Sequence, residues 1–461
     1  MPVLAEAKER ASRRIAQVTG YAVTGVSQTK KLVEWINAQG IPCESVAKGE
    51  VEDLQIEADL QGVPAVREAL AIRLDANKAS TAKDAAFING AAADGRLRGT
   101  LQYHGAATGR WSGRRVQPQN FVRVDWDEEA DLLEYAIELV KNGSLDPGCK
   151  IDLLDLTWGV SAFFALSRTL RPTFTASAGH RLIGGDWSNI EGRLNAWLAG
   201  EHWKLRAFEA YDRKEGPDLY KVTAAGILRK DISAVTKPDR QRYGKIPELA
   251  CGYQGGVRAF QTMGRNLGVD ISDDEAKTIV DGWRERNEKI KWNWYNVQDA
   301  AIAAVRDPGY TARCCGNRVA YAMSPDRKWL VCTLPSGRQL RYREPFIEAK
   351  PTPWGELRDA LYAWGLNPLT KKWEPHSLYG GLLVENLCQA ISACILRHSM
   401  RACESAGLPV VLTVHDELVC EVPEGHAATG EDLKRLMIEL PAWTAGLPIA
   451  AECWEGIRYG K

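Results

Sequence analysis

The sequence predicts an α+β fold, with two long helical regions and extended strands in the second half of the chain. Residues 1–90 and 201–305 place their apolar side chains at helical spacing. Residues 310–350 alternate apolar and polar side chains, and residues 409–423 contain two short apolar runs, as β-strands do. At 461 residues the chain is too long for one compact core, so we expect two or three lobes.

Composition narrows the class of protein. Apolar residues make up 45% of the chain and charged residues 26%, which is usual for a soluble globular protein. No apolar run is long enough to span a membrane and the N-terminus lacks the core of a signal peptide, so we expect a cytoplasmic protein. The 11 cysteines are scattered and form no C-x-x-C pair, which argues against a disulfide framework and a zinc site.

Charge is balanced overall but uneven locally. The chain has 59 basic and 59 acidic residues. Residues 95–123, however, contain no Asp or Glu and include Arg96, Arg98, Arg110, Arg114, Arg115 and Arg123. Because phosphate binding depends on local potential, this segment predicts a polyanion contact; a solvated basic loop is the alternative.

The first helical region begins with short amphipathic elements. Residues 27–30 are expected to cap a helix over 31–39, a second helix follows over 63–78, and Ser80 and Thr81 cap a third. These helices form either a projecting antiparallel arm or a plain bundle.

The middle of the chain alternates loops, helices and one short strand. Residues 96–123 read as loop and strand, and the acidic helix 127–140 reads as part of a surface insertion. A short apolar strand ends on Asp186, and a helix follows over 189–198. In the second helical region the expected core aromatics are Trp283, Trp292, Trp294 and Tyr295.

Two carboxylates stand at the ends of predicted strands. Asp186 ends the strand at 181–186, and Asp416 lies at the polar tip between the two apolar strands of 409–423. If these strands are neighbours, the carboxylates meet, and two such charges require cations between them. A pair of Mg²⁺ ions serves this purpose and also promotes phosphoryl transfer. Taken alone, Asp186 is equally explained as a helix cap and Asp416 as a turn residue.

A third feature lies in the 240s. On a helix, Arg242, Lys245, Leu249 and Tyr253 share one face, which suits a nucleotide triphosphate, sugar and base. Pro247 is expected to kink this helix because it lacks a backbone donor. An amphipathic helix with a basic edge is the alternative.

Together these motifs resemble DNA polymerase family A, the group of bacterial DNA polymerase I and many phage replicases. Residues 185–193 read GDWSNIEGR, similar to the family's DYSQIELR, and residues 414–417 read VHDE as in the family. The helix at 245–253 resembles its fingers helix. TGR at 108–110 with QPQN at 117–120, and Asn386 with Gln389, resemble its primer-template contacts. The resemblance covers residues 25–461 in the family's motif order and is phage-like in style.

The resemblance implies a role for each site residue. Asp186 and Asp416, with the Trp187 carbonyl, would bind two Mg²⁺ ions, or Mn²⁺ in their place. Lys245 would neutralise the triphosphate and donate a proton to pyrophosphate, and Tyr253 would stack near the templating position. Glu191 would crowd the sugar C2′ and so select dNTP over rNTP.

The resemblance also implies contacts with DNA. Arg110, Gln119, Asn120 and Gln389 would contact minor-groove acceptors, which every correct base pair offers. His415 would steady the primer 3′ end, and Glu417 would be a third carboxylate.

Several positions depart from the family pattern. Gln241 stands where the family has Arg, so Arg242 is expected to replace it, with Arg240 as the alternative. Leu249 replaces an aromatic residue, so sugar discrimination is expected to differ. The Asn386–Gln389 spacing is one residue short, so Glu385 is an alternative to Asn386.

The implied architecture is a right-hand polymerase with a helical thumb, helical fingers and an antiparallel palm sheet. Residues 1–95 would form the thumb and 201–305 the fingers. Residues 96–200, with an insertion at about 121–165, and 306–461 would assemble the palm sheet. Residues 1–95 are too few for a proofreading exonuclease domain with its own carboxylates, so we expect either a protein without proofreading or a sequence that is part of a longer chain.

The resulting hypothesis is a template-directed DNA polymerase of a bacterial or phage-infected cell, acting in replication or repair. Its partners would be primer-template DNA and dNTPs, with no membrane and no assigned protein partner. The alternatives are a single-subunit RNA polymerase, an inactive primer-template binding protein, and a two-metal nuclease. Glu191 and the 415–417 triplet favour the DNA enzyme.

Overall fold

The computed structural model describes residues 2–77, 83–124, 126–159, 161–351, 355–367 and 370–460. It confirms the α+β class, since helices surround two larger antiparallel sheets. Ser80 and Thr81, predicted to cap a helix, lie outside the described residues. Within the described ranges, no helix combines the length and apolar character needed to cross a membrane.

A helical bundle occupies the first part of the chain. Its helices are α1 (Pro2–Val18), α2 (Thr29–Ala38), α3 (Lys48–Leu60), α4 (Pro64–Ala76), α6 (Trp126–Lys141), α7 (Pro147–Trp158) and α8 (Ala162–Thr169). The short α5 (Asp84–Gly90) packs instead into a separate small cluster with Val116 and Phe121. The bundle alternative therefore holds over the projecting arm. Helix α2 begins at Thr29 without a side-chain cap at Gln28, so the expected cap at 27–30 is not formed.

The segment 121–165 was predicted to be a surface insertion, and this prediction was wrong. Helices α6–α8 bury Ala136, Leu154 and Phe163 in the same apolar cluster as Ile36 and Leu70 of the N-terminal helices. The physical reason is that each short amphipathic helix has an apolar side that needs a partner, and these two groups cover each other.

A four-stranded antiparallel sheet joins distant parts of the sequence. Its strands, in spatial order, are β10 (Val410–Val414), β11 (Glu417–Pro423), β3 (His180–Trp187) and β12 (Ala451–Gly456). One face packs Ile183, Leu418 and Cys420 into the main core, near α9 (Ile190–Ala199), α17 (Gly380–Ser405) and α18 (Gly430–Ile438). The opposite face carries Asp186 and Glu417, which are register partners.

Residues 312–377 form a separate sheet and do not extend the four-stranded one, contrary to the single palm sheet expected from 96–200 and 306–461. Its strands follow chain order: β4 (Ala312–Cys314), β5 (Val319–Met323), β6 (Trp329–Thr333), β7 (Gln339–Pro351), β8 (Leu357–Leu366) and β9 (Trp373–Ser377). Successive strands pair with their chain neighbours because short turns favour local hairpins. A further small sheet pairs β1 (Leu101–Gln102) with β2 (Ser112–Gly113).

The region 201–305 is helical, as predicted. It contains α10 (His202–Asp212), α11 (Leu219–Leu228), α12 (Lys237–Asp239), a π-helical segment (Arg240–Lys245), α13 (Ile246–Cys251), α14 (Val257–Asn266), α15 (Asp273–Arg286) and α16 (Glu288–Arg306). Short 3-10 turns elsewhere span Pro118–Asn120, Arg171–Thr173, Ile232–Ala234 and Ala442–Thr444. Pro247 was expected to kink this helix. The irregularity is a π-helical segment just before the proline, in which the Ile246 N–H donates to the Gln241 carbonyl.

Only part of the predicted aromatic core is buried. Trp283 and Trp294 stack with ring centroids 6.3 Å apart inside the main cluster. Trp292 is 53% exposed and Tyr295 is 38% exposed, so the prediction for these two was wrong. Both lie on the side of α16 turned away from the buried stripe that contains Trp294.

Candidate active site

The structure brings the two predicted carboxylates to one end of the four-stranded sheet. Asp186 is the penultimate residue of β3 and pairs in register with Glu417, the first residue of β11. Val414 pairs directly with Glu417, so His415 and Asp416 form a two-residue turn at the hairpin tip. His415 adopts a left-handed backbone conformation with φ 57°, which closes this turn. Asp416 is thereby held beside Asp186.

Electrostatics ties Asp416 to Asp186. Burial, followed by the negative charge of Asp186, raises the pKa of the Asp416 carboxyl to about 7. A bound cation would remove both penalties at once, so the pair fits Mg²⁺, which uses few carboxylates and keeps water and phosphate oxygens. Among the described residues, no group of three or more His, Cys, Asp or Glu side chains is placed to hold a metal ion. The Trp187 indole is buried and donates to the Met437 carbonyl at 3.1 Å. Since an indole has no oxygen, Trp187 offers a metal ion only its backbone carbonyl.

Glu417, predicted as a third carboxylate, faces other partners. One oxygen accepts a hydrogen bond from Trp454 Nε1 at 3.1 Å, and the other accepts one from the Tyr459 hydroxyl. Burial raises the pKa of this carboxyl. Gly184 makes room for the arrangement, because a Cβ there would lie 2.1 Å from the Trp454 ring. Both Glu417 oxygens are therefore engaged, which suits a positioning residue better than a metal ligand.

A hydrogen-bonded chain connects four predicted site residues from four parts of the sequence. Arg110 Nη1 donates to Glu191 Oε1 at 3.0 Å, and Arg110 Nη2 lies 3.3 Å from His415 Nδ1. The Tyr253 hydroxyl donates to Glu191 Oε2 at 3.4 Å. Burial and the Arg110 charge lower the pKa of His415, which keeps its ring neutral at neutral pH. The arginine-rich loop, α9, the helical region and the hairpin tip therefore meet at one site.

The predicted nucleotide face is only partly available. Arg242 donates to both Glu275 oxygens, at 2.6 and 2.5 Å, and also to the Asp270 carbonyl. Arg240, the alternative to Arg242, donates to both carboxylate oxygens of Asp218 at 3.0 Å. Lys245 makes no ion pair with any residue in the described ranges, and Leu249 is 44% exposed. The sequence placed Arg242 on the Lys245 face, but the acidic partner that holds it comes from α15 and left no local signal.

The predicted DNA-contact residues lie between the arginine-rich loop and α17. Thr108 Oγ1 donates to Gln389 Oε1 at 3.2 Å, and Gln389 Nε2 donates to Glu385 at 3.0 Å. Asn120 Nδ2 donates to Gln117 at 2.8 Å. Both amide atoms of Gln119 are buried and have no hydrogen-bond partner in the described part of the chain. Such an amide is costly unless a ligand satisfies it.

A small cavity of about 90 Å³ connects Gln119 to the carboxylate end of the sheet, and its lining includes Arg123, Arg171, Asp186 and His415. Sequence reasoning missed Arg171. This residue is 4% exposed, and its guanidinium lies 4.8 Å from the centre of the Tyr459 ring. No motif surrounds it, so only the fold reveals its position.

Comparisons with known proteins give relatives of this chain. The sequence profile of DNA polymerase family A matches residues 6–328. The DNA polymerase of Bacillus phage SP02 is 34% identical over 438 residues, which is 94% of this chain and 63% of that protein. The thermostable DNA polymerase I of Thermus filiformis is 23% identical over 297 residues, 63% of this chain and 28% of that protein. The chain therefore spans less than two thirds of either relative.

A solved structure shares the fold. The polymerase domain of Pol1 from M. smegmatis, in complex with DNA primer-template and dNTP, superposes with a TM-score of 0.61 at 19% sequence identity. The match covers 99% of this chain and 65% of that one. At this identity the similarity concerns the fold alone.

Proposed function

Because this chain belongs to DNA polymerase family A, we propose that it is a template-directed DNA polymerase that adds dNMP to a primer 3′-OH and releases pyrophosphate. The profile match confirms the family resemblance found in the motifs, and the shared fold confirms the right-hand α+β class. The observation that carries the proposal is the chain of contacts Tyr253–Glu191–Arg110–His415 beside the Asp186–Asp416 pair.

Asp186 and Asp416 would hold the divalent cations, two Mg²⁺ ions or Mn²⁺ in their place, with the Trp187 carbonyl as a further oxygen. When bound, these ions activate the primer hydroxyl and stabilise the leaving oxygen of an in-line phosphoryl transfer. Glu417, held by Trp454 and Tyr459, fixes the start of β11 and hence the position of Asp416. We assign Glu417 a positioning role on this basis.

Lys245 would contact the triphosphate and donate a proton to the leaving pyrophosphate. It is exposed enough to reach a ligand and has no competing ion pair in the described ranges, whereas Arg242 is held by Glu275. A role for Arg242 at the phosphates would require that Glu275 release it. Leu249 and Tyr253 would complete the nucleotide contact on the sugar and base side.

Glu191 would sit against the sugar C2′ and select dNTP over rNTP. Arg110 and Tyr253 each donate to a different oxygen of Glu191, so the carboxylate has little freedom to make room for a 2′-hydroxyl. His415 would steady the primer 3′ end beside the carboxylates. Arg110, Gln119, Asn120 and Gln389 would contact the minor groove of the primer-template, where the unpaired Gln119 amide gains hydrogen-bond partners.

The domain assignment follows from the same proposal. Helices of 1–95, together with α6–α8, would form the thumb, residues 201–305 the fingers, and the four-stranded sheet the palm. Closure of the fingers would bring Lys245 and Tyr253 onto the nucleotide. Similarity to the phage SP02 polymerase supports a role in phage or prophage DNA replication.

Primer extension on a matched and a mismatched terminus, with dNTPs and separately with rNTPs, tests this function. We expect extension of the matched primer with dNTPs, no excision of the mismatch by this chain, and loss of extension in Asp416→Asn with primer-template binding kept. Equal use of rNTPs would favour the RNA polymerase alternative. Absence of extension by the unsubstituted chain would favour the inactive binding protein.

A further inference from the structure

The outer side of the six-stranded sheet combines basic and aromatic side chains. Alternate residues of β4–β9 pack into the main core near α16 and α17, and the other set points away from it. We call this second set the open face. Its basic and aromatic members are Arg313, Arg341, Arg343, Lys350, Arg358, Trp329, Phe346, Tyr362, Trp364 and Trp373.

Two aromatic rings of the open face are exposed to water, although exposure of a large apolar ring is energetically unfavourable. Trp373 is 55% exposed and Phe346 is 36% exposed. Phe346 stacks on Tyr362 with ring centroids 5.3 Å apart, which forms a flat apolar platform. The Arg343 guanidinium lies 5.7 Å from the centre of the Trp329 ring and 6.0 Å from that of Trp373. Planar rings beside guanidinium groups offer stacking positions for nucleic-acid bases.

The charge of the open face favours a polyanion. Arg341 and Arg313 make no ion pair with any residue that the structure describes. The other three basic side chains pair with carboxylates one or two residues away in sequence, at 3.2 Å for Arg343, 3.6 Å for Lys350 and 3.4 Å for Arg358. These pairs are about half exposed or more, so each contributes little and can exchange its carboxylate for a phosphate.

The six-stranded sheet that carries the open face is anchored, through its opposite core-facing side, to the DNA-contact residues of the candidate active site. Arg338, in the turn between β6 and β7, donates to the Thr108 carbonyl at 2.8 Å and to the Ala390 carbonyl at 2.7 Å. It also packs against Gly109, where a Cβ would lie 2.0 Å from its Nη1. One end of the sheet is therefore fixed to the arginine-rich loop and to α17. Most of the open face lies beyond residue 328, where the family profile match ends.

We propose that the open face is a second nucleic-acid site that binds single-stranded DNA, with bases stacked on its rings and phosphates paired with its arginines. Single strands fit better than duplex because their bases are free to stack on side chains. This site lies outside the polymerase centre and needs neither the Asp186–Asp416 pair nor Lys245. It would hold an unpaired strand close to the loop that contacts the primer-template.

The test measures binding of a labelled 15-nucleotide oligo(dT) by fluorescence anisotropy, with excess unlabelled primer-template of one-nucleotide overhang occupying the active-site cleft. The variants are Trp373→Ala and Arg341→Ala. Their matched controls are Trp292→Ala, at a tryptophan 53% exposed on α16, and Arg435→Ala, at an arginine 69% exposed on α18. We expect about tenfold weaker binding for each open-face variant and less than twofold change for each control.

Two further readouts make the outcome decisive. Competition with unlabelled duplex of the same length should be much weaker than with single strand, and the double variant Arg313→Ala with Arg341→Ala should reduce the salt dependence of binding. This double variant leaves every ring in place, so it remains informative if Trp373→Ala fails to fold. Equal affinity of open-face variants and controls, or equally good competition by duplex, overturns the proposal. Binding of oligo(dT) by a chain that cannot extend a primer would reject the polymerase function and leave this one standing.

Discussion

The two large sheets of this protein are both antiparallel, yet they are assembled in opposite ways. The four-stranded sheet pairs β3 with β11, although these strands are more than 200 residues apart in sequence, and this pairing places Asp186 opposite Glu417. The six-stranded sheet pairs only chain neighbours and forms a meander. The first concentrates buried charge at one end, and the second spreads exposed charge and rings over a face. Pairing between distant segments thus brings charged side chains together at one place, whereas pairing between chain neighbours spreads side chains over a broad surface.

The largest expected effect comes from removing a charge at the end of the four-stranded sheet. Asp186→Asn should lower the rate of nucleotide addition by at least about 10³-fold, because one of the two carboxylates proposed to bind the cations is lost. Single-turnover primer extension measures this. Asp359→Asn, on the six-stranded sheet, is the matched control and should leave the rate within about twofold, the range of substitutions away from the site. A similar loss in both variants would contradict the assignment of chemistry to one sheet.

Lys245→Ala tests the cation that is proposed to contact the nucleotide triphosphate. The expected loss in kcat is about 10²- to 10³-fold, as for removal of one preorganised electrostatic group, with primer-template affinity unchanged. Lys277→Ala is the control, since Lys277 also lies in the helical region but pairs with Asp281 at the surface. If Arg242→Ala lowers kcat as much as Lys245→Ala, the ion pair with Glu275 must open during catalysis.

The pH dependence of stability tests the buried charge of Asp416. Its pKa is raised to about 7 in the folded state, so between about pH 4 and pH 7 the folded state holds a proton that the unfolded state has lost. Metal-free protein should therefore lose stability as pH rises through this window, by a few kcal/mol. Urea unfolding at pH 5 and pH 8 measures the loss.

Asp416→Asn supplies the comparison for this pH effect. The variant should lack that component of the pH dependence and be the more stable protein at pH 8 without divalent ions. Added Mg²⁺ should stabilise the unsubstituted chain at pH 8 and have little effect on the variant. Identical profiles of stability against pH for the two proteins would show that burial and the Asp186 charge do not raise the pKa of Asp416.

The smallest expected effect compares the same substitution in both sheets. At Gly184 a Cβ would meet the half-buried Trp454 ring, which is held by its hydrogen bond to Glu417, at 2.1 Å, whereas at Gly365 of β8 it would meet the exposed, movable His376 imidazole at 2.5 Å. Gly184→Ala should therefore cost about 1–3 kcal/mol of unfolding free energy. Gly365→Ala should cost less than about 0.5 kcal/mol. Equal costs, measured by urea unfolding, would show that the Trp454 contact does not constrain the four-stranded sheet.

Several features were predictable because their signals are local. The strand that ends on Asp186, the hairpin around Asp416 and the helices of 201–305 follow from residue periodicity and turn residues. The motif order was enough to indicate DNA polymerase family A, which the profile match confirms. The individual roles of the site residues stay predictions until they are measured.

Other features depended on partners that are distant in sequence. Arg242 is bound by Glu275, and Glu417 is bound by Tyr459. Neither contact can be predicted from the residues next to these positions in sequence. The apolar side of α6–α8 was visible, but its burial against the N-terminal helices was not. The sequence predicts Trp292 in the core of the helical region, but the packing of α16 leaves it exposed.

By itself, the sequence determined which segments are helix or strand and which residue types stand at their ends, because backbone preference and side-chain period act over a few residues. Tertiary structure alone decided that β3 and β11 align Asp186 with Glu417, and that Asp416 comes to lie beside Asp186. It also decided which charges face each other and which, like Lys245, make no ion pair among the residues that the structure describes. These outcomes depend on register and packing between distant segments, where Coulomb energy and burial are set by position in space and not by position in the chain.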